Sequence, residues 1–395
     1  MRSFNLLIVL TFTCTISACA QTITPDKVRT SNGLISGVKS VDDSVMIFKG
    51  IPFAAPPTGE LRWKDPQPVK NWEGVRKCDK FGPNAMQGKP VPFDVYTKEF
   101  LIPVDGEISE DCLYLNVWTS AKSTNEKRPV IVYIHGGAFI AGSGSVSIYD
   151  GEAMAKKGVV FVTINYRLGV FGFYSHPGLS AESPHKTSGN YGMLDQVAAL
   201  RWVKNNIASF GGDPSNVTIS GQSAGSISVN ILQVSGTAKG LFHKMIAESG
   251  ASVVSGRFGG TVTLDSAESK GVQLAKSINA NNLKELRQAK AETLMDAHKG
   301  IGVVIVDGYV LKEPLPATFA SGKYNSVPLL TGYNEEESTD FGIQNFAWAM
   351  KQSAKTPNTY FYYFKRQVPE RGGTNKYGAF HTGEVSYAYD NLKFL

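Results

Sequence analysis

Cysteine is scarce in this 395-residue chain: there are four, at Cys14, Cys19, Cys78 and Cys112. Neither a C-x-x-C nor an H-E-x-x-H pairing occurs among them and the six histidines, so no metal site and no cofactor is expected. Basic runs are missing too. The formal charge is +6, from 40 Lys and Arg against 34 Asp and Glu, yet no five basic residues stand together. Charge scattered in this way describes a solvated surface and argues against nucleic acid as a partner. No apolar run is long enough for a membrane span. Internal repeats and low-complexity linkers are absent, so nothing divides the chain. What remains is the composition of a folded protein, 42% apolar and 19% charged.

The N-terminus has its own pattern. Met1-Arg2 is followed by Leu6-Leu7-Ile8-Val9-Leu10-Thr11-Phe12 and then by small residues, Ser17-Ala18-Cys19-Ala20. This predicts a signal peptide over residues 1–20, cleavage after Ala20 and a single domain over 21–395, secreted or periplasmic. Ile16-Ser17-Ala18-Cys19 also fits a bacterial lipobox, and the alternative is a lipoprotein anchored through Cys19. Cleavage leaves two cysteines in an oxidising compartment. A Cys78–Cys112 disulfide is therefore expected, worth about 3–4 kcal/mol if unstrained; the alternative is two separate buried thiols.

Hydrophobic periodicity predicts the architecture. Residues 28–53 alternate between glycines and read as a meander of short strands. Leu113–Trp118 is a further strand. Val130–Ile134 and Val159–Ile164 are fully apolar runs suited to central parallel strands buried on both faces. A short helix over 149–157 connects them. Met193, Val197, Leu200, Val203 and Ile207 form one apolar stripe of a helix over 192–209, which Phe210-Gly211-Gly212-Asp213-Pro214 stops. Strands follow from Val217, over 244–247, over 327–332 and over 359–364, with a helix over 224–233 and helices within 264–299. The alternation predicts one α/β domain, doubly wound, with a mostly parallel sheet and helices on both faces.

Gly221-Gln222-Ser223-Ala224-Gly225 stands between the Val217 strand and a helix. That context is the one a nucleophile elbow needs, with the serine hydroxyl lifted clear of the sheet on a sharp turn. Glycines at 221 and 225 let neighbouring backbone approach where a Cβ would clash. A serine hydroxyl needs a base, an acid to orient the base, and donors for the developing oxyanion. In strand–elbow–helix hydrolases the chain order is serine, acid, histidine. Of His135, His176, His185, His243, His298 and His381, only His381 lies beyond the last acidic loop. That loop, Asn334-Glu335-Glu336-Glu337, follows the 327–332 strand, and spacing leaves its three glutamates open. His135-Gly136-Gly137-Ala138 ends a strand and can aim backbone N–H groups at an oxyanion beside that of Ala224. His135 itself reads as a packed, structural ring. Phe139 and Phe173 are candidates to line an apolar pocket, or ordinary core residues.

Taken together these residues resemble the type-B carboxylesterase/cholinesterase family. The segment from Phe210-Gly211-Gly212-Asp213-Pro214 to Gly221–Gly225 is similar to its serine signature, and Glu110-Asp111-Cys112-Leu113-Tyr114-Leu115-Asn116-Val117 to its second signature. Gly50–Ala54, Asn165–Gly169, Asn190–Gln196 and Gly378-Ala379-Phe380-His381 match further family motifs in the same order. The resemblance implies an α/β-hydrolase fold and hydrolysis of a small-molecule ester. It implies Ser223 as nucleophile, His381 as base, Glu337 as acid, and Gly137, Ala138 and Ala224 as oxyanion donors. It also implies a disulfide from Cys112 to an upstream cysteine, whose usual position falls near Met86. Gln222 stands where many members carry glutamate. Glu337 and His381 are closer in sequence than in the family, and few residues follow His381, so the chain resembles an internally shortened, C-terminally truncated member. The rival expectation is a non-catalytic or impaired binding protein on the same fold. An amidase or thioesterase would use the same residues.

Overall fold

The computed structural model describes residues 21–255, 262–298, 300, 302–370, 373, 374 and 377–395. The expected signal peptide, with Cys14 and Cys19, lies outside the described residues, as does Lys376 of the histidine loop.

The apolar runs assemble into one nine-stranded sheet: β1 (Val38–Lys39), β2 (Met46–Pro52), β3 (Tyr114–Thr119), β4 (Arg128–Ile134), β5 (Val160–Ile164), β6 (Gly212–Gln222), β7 (Lys244–Glu248), β8 (Leu329–Asn334) and β9 (Thr359–Phe364). Their order across the sheet is β9-β8-β7-β6-β4-β5-β3-β2-β1. From β9 to β5 every pairing is parallel, and β3, β2 and β1 extend the sheet antiparallel. Parallel neighbours need crossovers, and helices supply them. Among the helices are α1 (Glu152–Lys156), α2 (Tyr191–Asn206), α3 (Ala224–Val234), α4 (Leu264–Ser277), α5 (Thr339–Ser353) and α6 (Val385–Ala388). The glycine-proline segment that stops α2 is also the entry to β6, which begins at Gly212 rather than Val217.

Alternation along β4 explains why helices cover both faces. Val130, Val132 and Ile134 join a core with Val197 and Leu200 of α2 and Val229 and Ile231 of α3. Ile131 and Tyr133 point the other way, into a core with Ala155 of α1 and with Val385 and Tyr389 at α6. A period of two on a strand buried from both sides gives two apolar layers, as a run without polar residues requires. Arg167 and Asp195, from two of the matched motifs, form a buried ion pair at 2.7 Å that ties the end of β5 to α2. The guanidinium Nε and the backbone N–H of Arg167 also donate to the same carboxylate, so the buried charge is satisfied by hydrogen bonds as well as by its partner.

The expected Cys78–Cys112 disulfide is not formed: both cysteines are free thiols and both are buried. The two sit in different surroundings. Cys112 lines a small cavity whose wall includes Ala85 and Met86 but not Cys78. Cys78 is held elsewhere, its N–H on the Ser36 carbonyl and its own carbonyl accepting from Lys49. Burial pushes the Cys78 thiol up to about 12, so it stays protonated and unreactive.

Candidate active site

Ser223 is the turn between β6 and α3, with φ +58° and ψ −122°. A non-glycine residue with these angles is strained, and it is held there by what surrounds it. The Ser223 N–H donates to the Glu248 carbonyl at the end of β7 (2.9 Å). Gly225 sits so close to the end of β4 that a Cβ would lie 2.0 Å from the Ile134 carbonyl oxygen. The helix can therefore start directly behind the serine, with the Ala224 N–H in its first turn.

The loop after β4 turns sharply. Gly137 has φ +102°, and Ala138 and Phe139 follow at +53° and +60°. The Gly137 carbonyl accepts from Ile140 and Ala141, which closes the turn. Among the described residues, no loop or turn carbonyl takes up the N–H groups of Gly137, Ala138 or Ala224. Beneath this loop the His135 ring stacks on Tyr166 (4.4 Å between centroids), and its Nδ1 lies 2.8 Å from the Gly136 carbonyl. Burial lowers its pKa to about 4, so His135 is a neutral, packed ring, as its place in the sequence suggests.

His381 and Glu337 come together: Nδ1 of the imidazole is 2.5 Å from Oε1 of the carboxylate. The Glu337 side chain is fully buried, and its Oε2 accepts the Asn334 N–H at 2.9 Å. The other two glutamates go elsewhere. Glu335 points out to Lys365 (2.9 Å), and Glu336 is exposed. With Nδ1–H committed to Glu337, Nε2 of the neutral ring is left as the acceptor. The side-chain amide of Gln222 lies 3.2 Å from that Nε2. Phe341 stacks on the ring at 4.9 Å, and the Tyr96 hydroxyl donates to the His381 carbonyl. Among the described residues, α5, β9 and two short paired strands, Pro369–Glu370 and Gly373–Thr374, lie within the 44 residues from Glu337 to His381.

Ser223, His381, Gly137 and Ala138 all line one cleft of about 610 Å³. This volume suits a small organic molecule. Its apolar wall comes from Val91, Phe93, Tyr96, Phe100 and Ile140. Phe139 and Phe173 are not part of that wall; they are buried against each other, ring centroids 5.0 Å apart. Sequence reasoning missed residues 87–102 because prolines and glycine interrupt any periodicity there. The cluster of Val91, Phe93, Tyr96, Phe100 and Leu101 in an irregular segment was the available signal.

A serine on a strained turn, a histidine fixed by a buried carboxylate, and the Gly137–Ala138 backbone line one cleft, and these are the kinds of group that acyl transfer uses. Residues 24–347 match the model of the carboxylesterase family. The chain is 39% identical over 334 residues to the fumonisin B1 esterase of Sphingopyxis macrogoltabida, covering 82% of this chain and 59% of that one. It is 37% identical over 342 residues to liver carboxylesterase 1 of Oryctolagus cuniculus, covering 79% and 59%. The chain thus spans about three fifths of the length of these relatives. Among solved structures, a PNB esterase superposes with a TM-score of 0.80 at 32% identity, covering 94% of this chain and 85% of that one. A Geobacillus stearothermophilus carboxylesterase gives 0.78 at 32%, covering 93% and 83%. With an α/β-hydrolase sheet, a matched family model over most of its length and these likenesses, the chain belongs to the carboxylesterase family.

Proposed function

We propose that this protein hydrolyses small carboxylic esters through an acyl-serine intermediate, with Ser223, His381 and Glu337 as its catalytic residues. The observation that carries the reading is His381: its Nδ1 is bonded to a buried glutamate, and the ring lines the same cleft as Ser223. In the first step His381 Nε2 takes the Ser223 proton as the hydroxyl oxygen attacks the ester carbonyl. For that, the Gln222 amide gives up Nε2. Glu337 holds the ring and stabilises the imidazolium. The N–H groups of Gly137, Ala138 and Ala224 receive the oxyanion, each worth about 3 kcal/mol of transition-state stabilisation. The alcohol departs with the proton from His381. Water then attacks the acyl-serine in the same way and releases the acid. The imidazole must be neutral to start, so activity falls in acid.

The pattern at residues 1–20 supports export with cleavage after Ala20, and Cys19 supports lipidation as the alternative. The mass of the mature N-terminus distinguishes the two.

The assignment is tested by purified protein on a short-chain nitrophenyl ester. Ser223→Ala is expected to abolish turnover and covalent labelling by an organophosphate; labelling that persists would sink it. Glu337→Gln is expected to lower kcat by about 10⁴ with KM little changed, because the wrong tautomer is then favoured. Glu335→Gln and Glu336→Gln are expected to stay near wild type.

A further inference from the structure

The segment after His381 runs back under the nucleophile. Tyr389, just past α6, is 2% exposed and reaches two strands at once. Its hydroxyl is hydrogen-bonded to the Ser220 hydroxyl on β6 and donates to Oε2 of Glu248 on β7 (3.2 Å). Ser220 and Gln222 point to one face of β6, being two residues apart. The register places Glu248 directly beside Gln222, on that same face. Gln222 in turn touches the His381 ring. The chain from 381 to 389 therefore lies along one face of β6. His381 meets the upper position, and Tyr389 meets the position roughly 6.6 Å below it.

Glu248 belongs to both halves of this arrangement. Its carbonyl accepts the Ser223 N–H, and its side chain accepts the Tyr389 hydroxyl. The Tyr389 ring is packed by Tyr133 (5.1 Å) and Phe161 (5.4 Å). A plain hydrophobic ring would satisfy that packing. A phenol with buried partners adds direction, because its hydroxyl is satisfied in one position only.

We propose that Tyr389 is a positioning residue, which through Ser220 and Glu248 fixes the His381-bearing segment against the two strands that hold Ser223. The proposal rests on the assignment of Ser223 and His381 made above. Burial, reinforced by the neighbouring Glu384 carboxyl, holds the Glu248 proton well above the usual carboxylate range. A neutral Glu248 brings no unpaired charge into the layer, so the links from Ser220 to Glu248 are uncharged hydrogen bonds. The loss of the phenolic hydroxyl frees α6 to shift, and a displacement of His381 by about 1 Å is enough to cost up to a hundredfold in rate.

Tyr389→Phe keeps the ring and removes the bonds. With a nitrophenyl ester, kcat per organophosphate-titrated site is expected to fall about tenfold or more. KM is expected to stay close to wild type and the melting temperature to fall by a few degrees, with the variant fully folded at the assay temperature. Ser220→Ala is expected to act in the same direction, and the double variant to be no worse than Tyr389→Phe alone, since both cut one chain. Glu248→Gln, which keeps an acceptor for the phenol, is expected to retain most of the activity, and Glu248→Leu to lose it. An unchanged kcat in Tyr389→Phe, additive single effects, or a loss accounted for by fewer titrated sites would overturn the proposal. A wild-type enzyme that neither turns over nor labels at Ser223 would overturn it together with the esterase assignment.

Discussion

At the scale of single residues, burial separates groups that the sequence presents as equivalent. Glu335, Glu336 and Glu337 are the same side chain three times over, and nothing in their spacing distinguishes them. Only the third is enclosed, and only it meets His381. The same limit explains the cysteines: counting them predicts a pair, but not the surroundings in which each is buried. Two more carboxyls lie under the site. Glu384 accepts from Asn334 and from Ser249, and burial, with the charge of Glu337 added, pushes its pKa up to about 7. In the unfolded chain such a group titrates near 4.5. The folded state thus binds this proton more tightly. The resulting stabilisation is fully present below about pH 4.5 and is lost as pH rises through about 7. Melting temperatures at pH 5 and pH 8 check this. Glu384→Gln is expected to shrink the fall between them, because it removes the proton that the folded state prefers to keep.

At the scale of elements, strands were easier to read than helices. Val130–Ile134 and Val159–Ile164 are apolar because both faces are covered, and such runs can hardly be anything but central strands. The 359–364 strand falls where its aromatics suggest. Helix α5 escaped because its pattern is inverted. Ile343, Phe346 and Met350, spaced as a helical stripe, are all more than half exposed. The buried face carries Gln344, Asn345, Trp348 and Gln352. These amides take the place of apolar packing by serving loops. Gln344 accepts the N–H groups of Val253 and Val254 and donates to the Val254 carbonyl. Asn345 donates to Thr331, and Trp348 donates to Gln233, which itself donates to Gln352. Reading apolar periodicity as the inner face therefore turns this helix around. Gln344→Leu, conservative by volume, is expected to destabilise the protein by about 2–3 kcal/mol by stranding the buried Val253 N–H and the half-buried Val254 N–H. Phe346→Ser, on the half-exposed apolar stripe, is expected to cost less, about 0.5–1.5 kcal/mol for its edge-on contact with Phe361. Urea midpoints of the two variants decide between an inner face built on amides and one built on hydrophobes.

At the scale of the whole molecule, that outward stripe adjoins an open margin. β9 pairs with β8 on one side and is the last strand of the sheet among the described residues. Its sequence, Thr-Tyr-Phe-Tyr-Tyr-Phe, has no proline and no charge, the usual means of blunting an edge. Tyr360 is 62% exposed, and Phe361 packs edge-on against Phe346 of α5. Such a margin favours sheet-to-sheet association when the protein is warmed. Tyr360→Lys is expected to slow heat-induced aggregation, followed by light scattering, without altering kcat.

The short excursion from Glu337 to His381 has a kinetic meaning as well. These two residues are 44 apart in the chain, whereas Gln222, next to the nucleophile, is 159 from His381. Loop-closure entropy grows with the logarithm of separation, so joining acid to base costs about 1 kcal/mol less than joining base to nucleophile. The carboxylate and the imidazole belong to one continuous stretch that holds α5, β9 and a short strand pair. They can meet as soon as that stretch forms, before the far end of the sheet has found its register. The expected order of assembly is therefore the Glu337–His381 pair first and the docking of His381 beside Gln222 afterwards, which a φ-value near 1 at Glu337 and near 0 at Gln222 would bear out.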